Sequence, residues 1–288
     1  MQGYEKLLTR FESLLQRLEA LLPPQPPPLD WSANAYRWRV IAGRGHLQPV
    51  AHLHRLQPQD LCCIERQLLA AERNTRQFVA GAPANNVLLT GARGCGKSSL
   101  VKALLNRFAD DGLRLIEVER DHLVDLPDIV ALAAPRPERF IIYCDDLSFD
   151  SGEAGYRALK SALDGGLDGA CDNVLIYATS NRRHLMPEHF ADNREQRRDD
   201  AGEIHPGESV EEKISLSERF GLWLSFHPFD QDEYLAICAH WLSHFGVAAA
   251  EIEAARQQAL QWALQRGSRS GRVAWQFARD FAGRKIAP

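Results

Sequence analysis

The chain has 288 residues, of which 45% are hydrophobic and 25% are charged, and this composition excludes a wholly disordered or fibrous protein. A chain of this length buries roughly three-quarters of its unfolded surface, so it needs no disulfide or metal for stability. The formal net charge of -4 excludes a global positive field, so any contact with nucleic acid must come from a local basic patch.

Residues 1–28 are predicted to form an amphipathic helix followed by a spacer. Apolar residues recur at alternating steps of four and three, at Tyr4, Leu8, Phe11, Leu15, Leu18 and Leu22. The prolines of PPQPPP at 23–28 stop the helix and favour a stiff, extended linker. We expect the apolar face to dock on the rest of the chain; pairing with a partner or another subunit is the alternative.

Residues 29–58 show no clear secondary-structure pattern. Trp31, Tyr36 and Trp38 interleave with Arg37 and Arg39. Aromatic residues among basic ones could form a stacking surface for single-stranded nucleic acid. The favoured interpretation is that the rings are packed and the cations cover a solvated edge.

Residues 59–229 are predicted to form an α/β domain. Short, continuously apolar strands alternate with helices, which specifies a parallel sheet covered on both faces. The predicted strands are NVLLTG, LRLIEV, RFIIYC and NVLIYATS, and the predicted helices cover 59–79, 98–108 and 156–163. The charged segment 186–213 is expected to be an insertion, either a solvated loop or a partner-binding element.

Residues 230–288 are predicted to form a small all-α domain, because the apolar pattern becomes helical over 231–245, 249–266 and 272–281. No apolar stretch is long enough to span a membrane, and the six cysteines form no CxxC pair, so a cytoplasmic location with reduced thiols is expected. Adjacent Cys62 and Cys63 could be redox-active, but small buried hydrophobic residues are the favoured interpretation.

The strongest motif is GARGCGKS, which matches the GxxxxGK[ST] phosphate-binding loop and lies between a predicted strand and a predicted helix. Its glycines let backbone N–H groups face phosphate oxygens, and the helix adds the positive end of its dipole. Lys97 is expected to reach the phosphates and Ser98 to bind Mg²⁺. The expected nucleotide-binding residues of this loop are Gly91, Ala92, Arg93, Gly94, Cys95, Gly96, Lys97, Ser98 and Ser99.

Two carboxylates and an amide follow the ends of two predicted strands. Asp145 and Asp146 come directly after RFIIYC, and Asn181 follows NVLIYATS. Because ligands bind beyond the carboxyl ends of parallel strands, these side chains should lie beside the phosphate loop. Asp145 is then suited to hold Mg²⁺, Asp146 to orient or deprotonate an attacking water, and Asn181 to hold that water or touch the γ-phosphate.

Two arginines, Arg219 in LSERFG and Arg272 in GSRSGRVAWQFARDF, complete the set. A guanidinium keeps its charge and has a planar fork that suits phosphate. Each arginine alone would be interpreted as a surface salt-bridge residue.

The motifs and their order along the chain resemble those of an AAA+ ATPase. They are the phosphate loop, the strand that ends in Asp145 and Asp146, the strand followed by Asn181, the RFG segment that contains Arg219, and the late Arg272. LSERFG and GRVAWQF are similar to segments of the bacterial Holliday-junction branch-migration motor. Residues 60–281 resemble still more closely an uncharacterised bacterial AAA+ family, domain of unknown function 815, in phrases such as NTRQFVAGAPANNVLLTG, YRALKSALDGGL and EKISLSERFGLWLSF.

The resemblance implies a P-loop NTPase of three αβα layers, with a helical lid and an N-terminal helical extension. It implies ATP with Mg²⁺ as the ligand, and a homo-oligomeric ring in which each nucleotide lies at a subunit boundary. Arg219 would then be an arginine finger supplied to the neighbouring subunit, and Arg272 would contact the nucleotide from the lid.

One residue departs from the superfamily pattern. The second carboxylate is usually Glu, whereas Asp146 is one methylene shorter. A misplacement of about 1 Å can lower a rate ~10²-fold, so the expectation is either slow turnover or a water that bridges the gap. Asp150 and Glu153 are nearby substitutes that rank below Asp146.

The leading hypothesis is a Mg²⁺-dependent ATPase that moves or remodels a macromolecular partner, either protein or DNA. One alternative is a nucleotide-gated binding module with negligible hydrolysis, motivated by Asp146. Another is a DNA-handling motor, motivated by the basic residues within 256–288, which could instead face nucleotide phosphates.

Overall fold

The computed structural model describes residues 2–21, 29–149, 153–165, 171–181, 197–198, 204–205 and 216–286. Its centre is a seven-stranded sheet with the strand order β2-β1-β4-β5-β6-β3-β9, in which β2 is antiparallel to β1 and the other pairs are parallel. These strands are β1 (Ala35–Ile41), β2 (Arg44–Pro49), β3 (Val87–Gly91), β4 (Leu113–Val118), β5 (Arg139–Cys144), β6 (Val174–Ser180) and β9 (Leu222–Phe226). The short strands β7 (Arg197–Arg198) and β8 (Ile204–His205) form a separate antiparallel pair.

Helices pack on both faces of the sheet. The helices of the described residues are α1 (Gln2–Leu21), α2 (Glu65–Val79), α3 (Lys97–Phe108), α4 (Leu126–Ala133), α5 (Ala154–Asp164), α6 (Gln231–His244), α7 (Ala249–Ala254), α8 (Arg256–Arg266) and α9 (Gly271–Ile286), with 3-10 turns at Pro58–Asp60 and Arg120–Asp125. One hydrophobic core joins the sheet to α2, α3 and the C-terminal helices; the other joins it to α4 and α5.

The strand sequences explain why both faces are covered. Successive side chains of a strand point to opposite faces, and here both faces are apolar. Val87 and Leu89 of β3 lie in one core and Leu88 lies in the other, and all three are completely buried. The predicted α/β P-loop fold with a parallel sheet and a helical lid is therefore confirmed.

Residues 29–58 contain a β-hairpin that the sequence did not reveal. Tyr36 and Trp38 of β1 are buried, and the Trp38 indole N–H donates to Asp125 Oδ2 at 2.8 Å. Arg37 and Arg39 form ion pairs, each at 2.7 Å, with Glu117 and Glu119 beside them. The packed interpretation of these aromatic residues is confirmed, and the hairpin extends the sheet beyond β4.

The predicted helix over 59–79 is wrong in its first turns, because α2 begins only at Glu65. A 3-10 turn precedes it, and Cys63 has a φ of 64°, which a right-handed helix does not allow. The predicted helix over 249–266 is two helices that meet at Ala255. Strand β9 and helix α4 were not predicted.

The apolar face of α1 is exposed, so the expectation that it docks on the rest of the chain is wrong for the side chains described. Tyr4 is 77% exposed and Leu7 is 72% exposed. Most of the predicted insertion at 186–213 lies outside the described residues, apart from β7 and β8. No helix in the described part of the chain is long and apolar enough to cross a membrane.

Candidate nucleotide-binding site

The phosphate-loop motif forms a tight turn between β3 and α3. Gly96 has a φ of 95° at the position before α3, a left-handed conformation that other residues adopt only with strain. The Lys97 ammonium donates to the carbonyl oxygens of Gly91 and Ala92, both at 2.7 Å, and to Asn181 Oδ1 at 3.0 Å. Burial lowers the pKa of Lys97 from its ordinary value. The loop therefore holds a desolvated lysine that already contacts the end of β6.

Ser98 and Asp145 meet directly, as the sequence predicted for a Mg²⁺ site. The Ser98 hydroxyl donates to Asp145 Oδ1 at 2.8 Å, and the Thr179 hydroxyl donates to the same oxygen at 2.5 Å. Burial acts to raise the pKa of Asp145, but hydrogen bonding, led by Thr179, outweighs burial and lowers the pKa below its ordinary value. Asp145 is therefore ionised at neutral pH and suited to a divalent cation.

Asp146 lies next to Asn181 in an uncommon backbone conformation. Its φ is 52°, and its N–H donates to Thr179 Oγ1 at 2.8 Å. The Asn181 side-chain amide donates to Asp146 Oδ1, and Arg93 lies 3.8 Å from the other carboxylate oxygen. Non-glycine residues with left-handed backbones cluster at functional sites, and Asp tolerates this conformation better than most residues.

These groups line one cavity of about 590 Å³, a volume within the range of small-molecule sites. Part of the lining is polar and consists of the phosphate loop, the residues at the ends of β5 and β6, and His54, Asp60 and Lys102. The rest of the lining is apolar, and we call these residues the apolar lining: Leu56, Leu61, Ile64, Phe229, Ile237, Trp241 and Trp275. The cavity thus combines charged groups with aliphatic and aromatic ones.

The helical lid closes directly on the phosphate loop. The Gly271 N–H at the start of α9 donates to the carbonyl oxygen of Gly94 at 2.9 Å. A Cβ at Gly94 would lie 2.8 Å from Ser270 Cβ, so a glycine is needed for this approach. Arg272, for which the AAA+ resemblance implied a contact with the nucleotide from the lid, also lines the cavity.

Of the predicted loop residues, Arg93 through Ser99 line the cavity, while Gly91 and Ala92 supply carbonyl oxygens to Lys97. Arg219 does not line it; its Nε donates to Asp164 Oδ1 at 2.7 Å, at the end of α5. Within one chain, the site therefore does not include the predicted arginine finger.

The two proposed substitutes for Asp146 receive no support from the structure. Asp150 lies outside the described residues. Glu153 forms an ion pair with Arg120 and does not line the cavity. Asp146 is the carboxylate that lies beside Asn181.

The sequence did not reveal the role of Thr179 or the apolar lining of the cavity. Thr179 falls within the predicted strand NVLIYATS, but its hydroxyl contacts both Asp145 and Asp146. Trp275 could have been found, because it lies three residues after Arg272 and so shares its helix face. Leu61 and Trp241 carry no local signal, since they reach the cavity only through tertiary packing.

The six cysteines are free thiols; Cys95, Cys144 and Cys238 are buried, and the other three are half-buried. Burial raises the pKa of Cys63 to about 11, which disfavours the thiolate. Cys95 of the loop is 2% exposed, and burial raises its pKa too. The interpretation of these thiols as small hydrophobic residues is supported.

The residues fit a magnesium-nucleotide. Gly94 and Gly96 have left-handed backbones, with φ of 76° and 95°, and such a backbone lets successive N–H groups face a phosphate. Ser98 and Asp145 offer the hard oxygen ligands that Mg²⁺ prefers. The N-terminus of α3 opens at Lys97, where helix geometry favours an anion.

The fold and this site define an α/β P-loop protein with a helical lid in contact with the loop, which is the architecture that the resemblance to AAA+ proteins implied. Two mutant forms of RuvB from Thermotoga maritima share the fold, with TM-scores of 0.52 and 0.51 at 17% and 14% identity. The alignments cover 79% and 77% of this chain but only 65% and 63% of the RuvB chains, so this chain spans less than two-thirds of either.

The family is given by a sequence model. Residues 31–285 match the family described as "Protein of unknown function (DUF815)", and the chain belongs to that family. A search of curated protein sequences finds no match.

Proposed function

We propose that the chain binds ATP with Mg²⁺ in this cavity and hydrolyses it at interfaces between subunits of a cytoplasmic ring, to move or remodel a macromolecular partner. One observation carries the proposal: Lys97, Asp145 and Asn181 come from three separate elements and converge at one edge of the sheet. Such a convergence is what phosphoryl transfer requires, because its catalysis consists mainly of positioning and charge stabilisation.

Each residue then has a role that follows from its contacts. Lys97 holds the phosphates, and its burial strengthens that attraction. Ser98 and Asp145 hold Mg²⁺, which when bound neutralises charge on the phosphate oxygens. Asp146 accepts a proton from the attacking water, and Asn181, bonded to Asp146, fixes the position of that water.

The apolar lining of the cavity supports a nucleoside rather than inorganic polyphosphate as the ligand. Leu61 and Ile64 precede α2, while Trp241 and Trp275 come from the lid. A planar base against these groups would bury apolar surface. Base binding would therefore join the lid, residues 230–288, to the nucleotide-binding domain, residues 59–229.

The test is phosphate release from ATP by the purified chain, compared with Lys97→Ala and Asp146→Asn. We expect both variants to lose activity, Asp146→Asn by about 10²–10⁴-fold because the general base is removed. Lys160→Ala is the matched control, because it removes a lysine from α5 that does not line the cavity. If all four proteins release phosphate at one background rate across protein concentrations, the chain is not an ATPase.

A second candidate is a nucleotide-gated binding module with negligible hydrolysis. The observation that favours it is the state of Asp146, whose short carboxylate is bonded to Asn181 and held by a left-handed backbone. This candidate predicts nucleotide-dependent association that Asp146→Asn leaves unchanged. The ATPase proposal predicts that Asp146→Asn prolongs the associated state, because hydrolysis no longer ends it.

The DNA-handling alternative gains less support. Four of the arginines on which it depends have partners within the chain. These contacts are Arg256 with Glu253, Arg266 over Trp262, Arg279 over Trp275, and Arg284 with Asp280. DNA binding that weakens with salt and stimulates ATP turnover would nevertheless favour it over a protein remodeller.

A further inference from the structure

Helix α1 exposes an unusually apolar face. Tyr4, Leu7, Phe11, Leu14 and Leu15 are between 43% and 77% exposed. At 3.6 residues per turn, the five side chains fall within about 100° of the helix circumference. A stripe of this width is typical of a helix that packs against other helices, and leaving it in water is unfavourable.

The two borders of this stripe carry opposite charges. Glu5 and Glu12 lie about 60–80° beyond Leu15 on one side, and Arg10 and Arg17 lie about 40–60° beyond Leu14 on the other. We call these borders the acidic flank (Glu5, Glu12) and the basic flank (Arg10, Arg17). Both pairs are spaced by seven residues, so each flank runs along the helix.

We propose that the α1 helices of neighbouring copies of this chain pack side by side as a parallel bundle, apolar face inward. In a parallel arrangement, the acidic flank of one helix faces the basic flank of the next, whereas an antiparallel pair brings like flanks together. Arg10 and Glu12 differ by two residues, so in register they lie at about the same height, within 3 Å at 1.5 Å per residue. The charge pattern therefore selects a second copy of the same helix as the occupant.

The same charges argue against a membrane surface as the occupant. The helix sequence contains Lys6, Arg10 and Arg17 against Glu5, Glu12 and Glu19, so its net charge is zero. Helices that lie on anionic membranes need an excess of basic residues. A heterologous contact that repeats from copy to copy forms a ring when its rotation closes, so this contact is compatible with the proposed assembly and does not depend on nucleotide.

The first experiment measures self-association of the full chain without nucleotide by sedimentation equilibrium. Phe11→Gln should raise the dissociation constant at least tenfold, because it places an amide in the apolar stripe. Ser13→Gln introduces the same residue on the opposite side of the helix and should change the constant less than twofold. A wild-type chain that stays monomeric, or equal effects of the two variants, would overturn the proposal.

The second experiment exchanges the flanks. Glu5→Arg with Glu12→Arg makes both flanks basic, and Arg10→Glu with Arg17→Glu makes both acidic, so each protein alone should associate at least tenfold more weakly. One chain with all four substitutions, or an equimolar mixture of the two proteins, should recover wild-type association. Failure of both to recover it, or α1-dependent binding to phosphatidylserine vesicles without self-association, contradicts the parallel bundle.

A third measurement separates this inference from the proposed ATPase. Binding of a fluorescent ATP analogue should be the same for the wild type and all α1 variants, which shows that they are folded. Nucleotide binding without α1 association would overturn the bundle alone. Association by α1 without nucleotide binding would leave the bundle standing and remove the ATPase.

Discussion

A single hydroxyl group links the two aspartates of the proposed site. Thr179 is 1% exposed; it donates to Asp145 at 2.5 Å and accepts the backbone N–H of Asp146 at 2.8 Å. The first bond orients the proposed metal ligand, and the second supports the left-handed backbone of Asp146. Thr179 is therefore a positioning residue for both carboxylates.

Replacing Thr179 by Val keeps the shape of the side chain and removes the hydroxyl. Hydrogen bonds to charged groups are worth about 1.5–3 kcal/mol, so ATP hydrolysis should fall about ten- to hundredfold. Affinity for a fluorescent nucleotide should change much less, because Lys97 and the loop are untouched. Steady-state phosphate release and nucleotide titration measure the two effects.

Thr179→Ser provides the control, since it restores the hydroxyl and removes only a methyl group. It should recover most of the activity that Thr179→Val loses. Equal losses in the two variants would mean that Thr179 acts through packing alone.

At the scale of elements, the contact between the loop and the lid depends on Gly94. The start of α9 approaches so closely that the Gly271 N–H bonds the Gly94 carbonyl at 2.9 Å. This bond connects the proposed phosphate site to the helix that carries Arg272 and Trp275. Nucleotide binding and lid position should therefore be coupled through a few backbone atoms.

Gly94→Ala should weaken nucleotide binding more than its backbone strain alone explains. Gly94 has a φ of 76°, and an added Cβ would lie 2.8 Å from Ser270 Cβ. Gly112 has a φ of 92° with no atom within 4 Å of an added Cβ, so Gly112→Ala is the matched control. Both variants carry a strain of about 1–2 kcal/mol, but only Gly94→Ala pushes the lid away.

Thermal unfolding and nucleotide titration distinguish these contributions. Without nucleotide, Gly94→Ala should lose more stability than Gly112→Ala, because its clash with Ser270 adds to the strain that both variants share. Gly94→Ala should also bind nucleotide at least tenfold more weakly than Gly112→Ala. Equal nucleotide affinities would show that the lid contact has no part in binding.

At the scale of the whole molecule, the described arginines that line the cavity are Arg93 and Arg272, and Arg219 is not among them. Arg219, just before β9, bonds Asp164 instead of lining the cavity. This position is compatible with action on a neighbouring subunit, which the family resemblance implies. In the proposed ring, Arg219 of a neighbouring subunit would complete the site.

Mixing inactive chains tests action between subunits. Lys97→Ala chains and Arg219→Ala chains should each hydrolyse ATP poorly. In an equimolar mixture whose neighbours assort randomly, about a quarter of the subunit interfaces should recover activity. Those interfaces combine an intact loop from one chain with Arg219 from the next.

A chain carrying both substitutions is the control for this mixture. Combined with the Lys97→Ala chain, it should recover nothing, because no intact loop is present. A mixture of the single variants that never exceeds either parent would place Arg219 outside the reaction.

The sequence predicted the alternation of strands and helices and the order of the site motifs, because both are properties of short stretches of the chain. Strands such as Val87–Gly91 are continuously apolar, and the phosphate loop is a fixed spacing of glycines before a lysine. The rule that strand ends meet at one edge then predicted the meeting of Asp145 and Asn181 with Lys97.

Tertiary structure alone decided the remaining features. The hairpin of β1 and β2 and the strand β9 lie at the edges of the sheet, where mixed burial replaces a clear apolar run. The apolar lining of the cavity includes Leu61, which precedes α2, and Trp241 and Trp275 of the lid. Leu61 is far from both tryptophans in sequence. Such contacts depend on how elements pack, and no local pattern of residues specifies that packing.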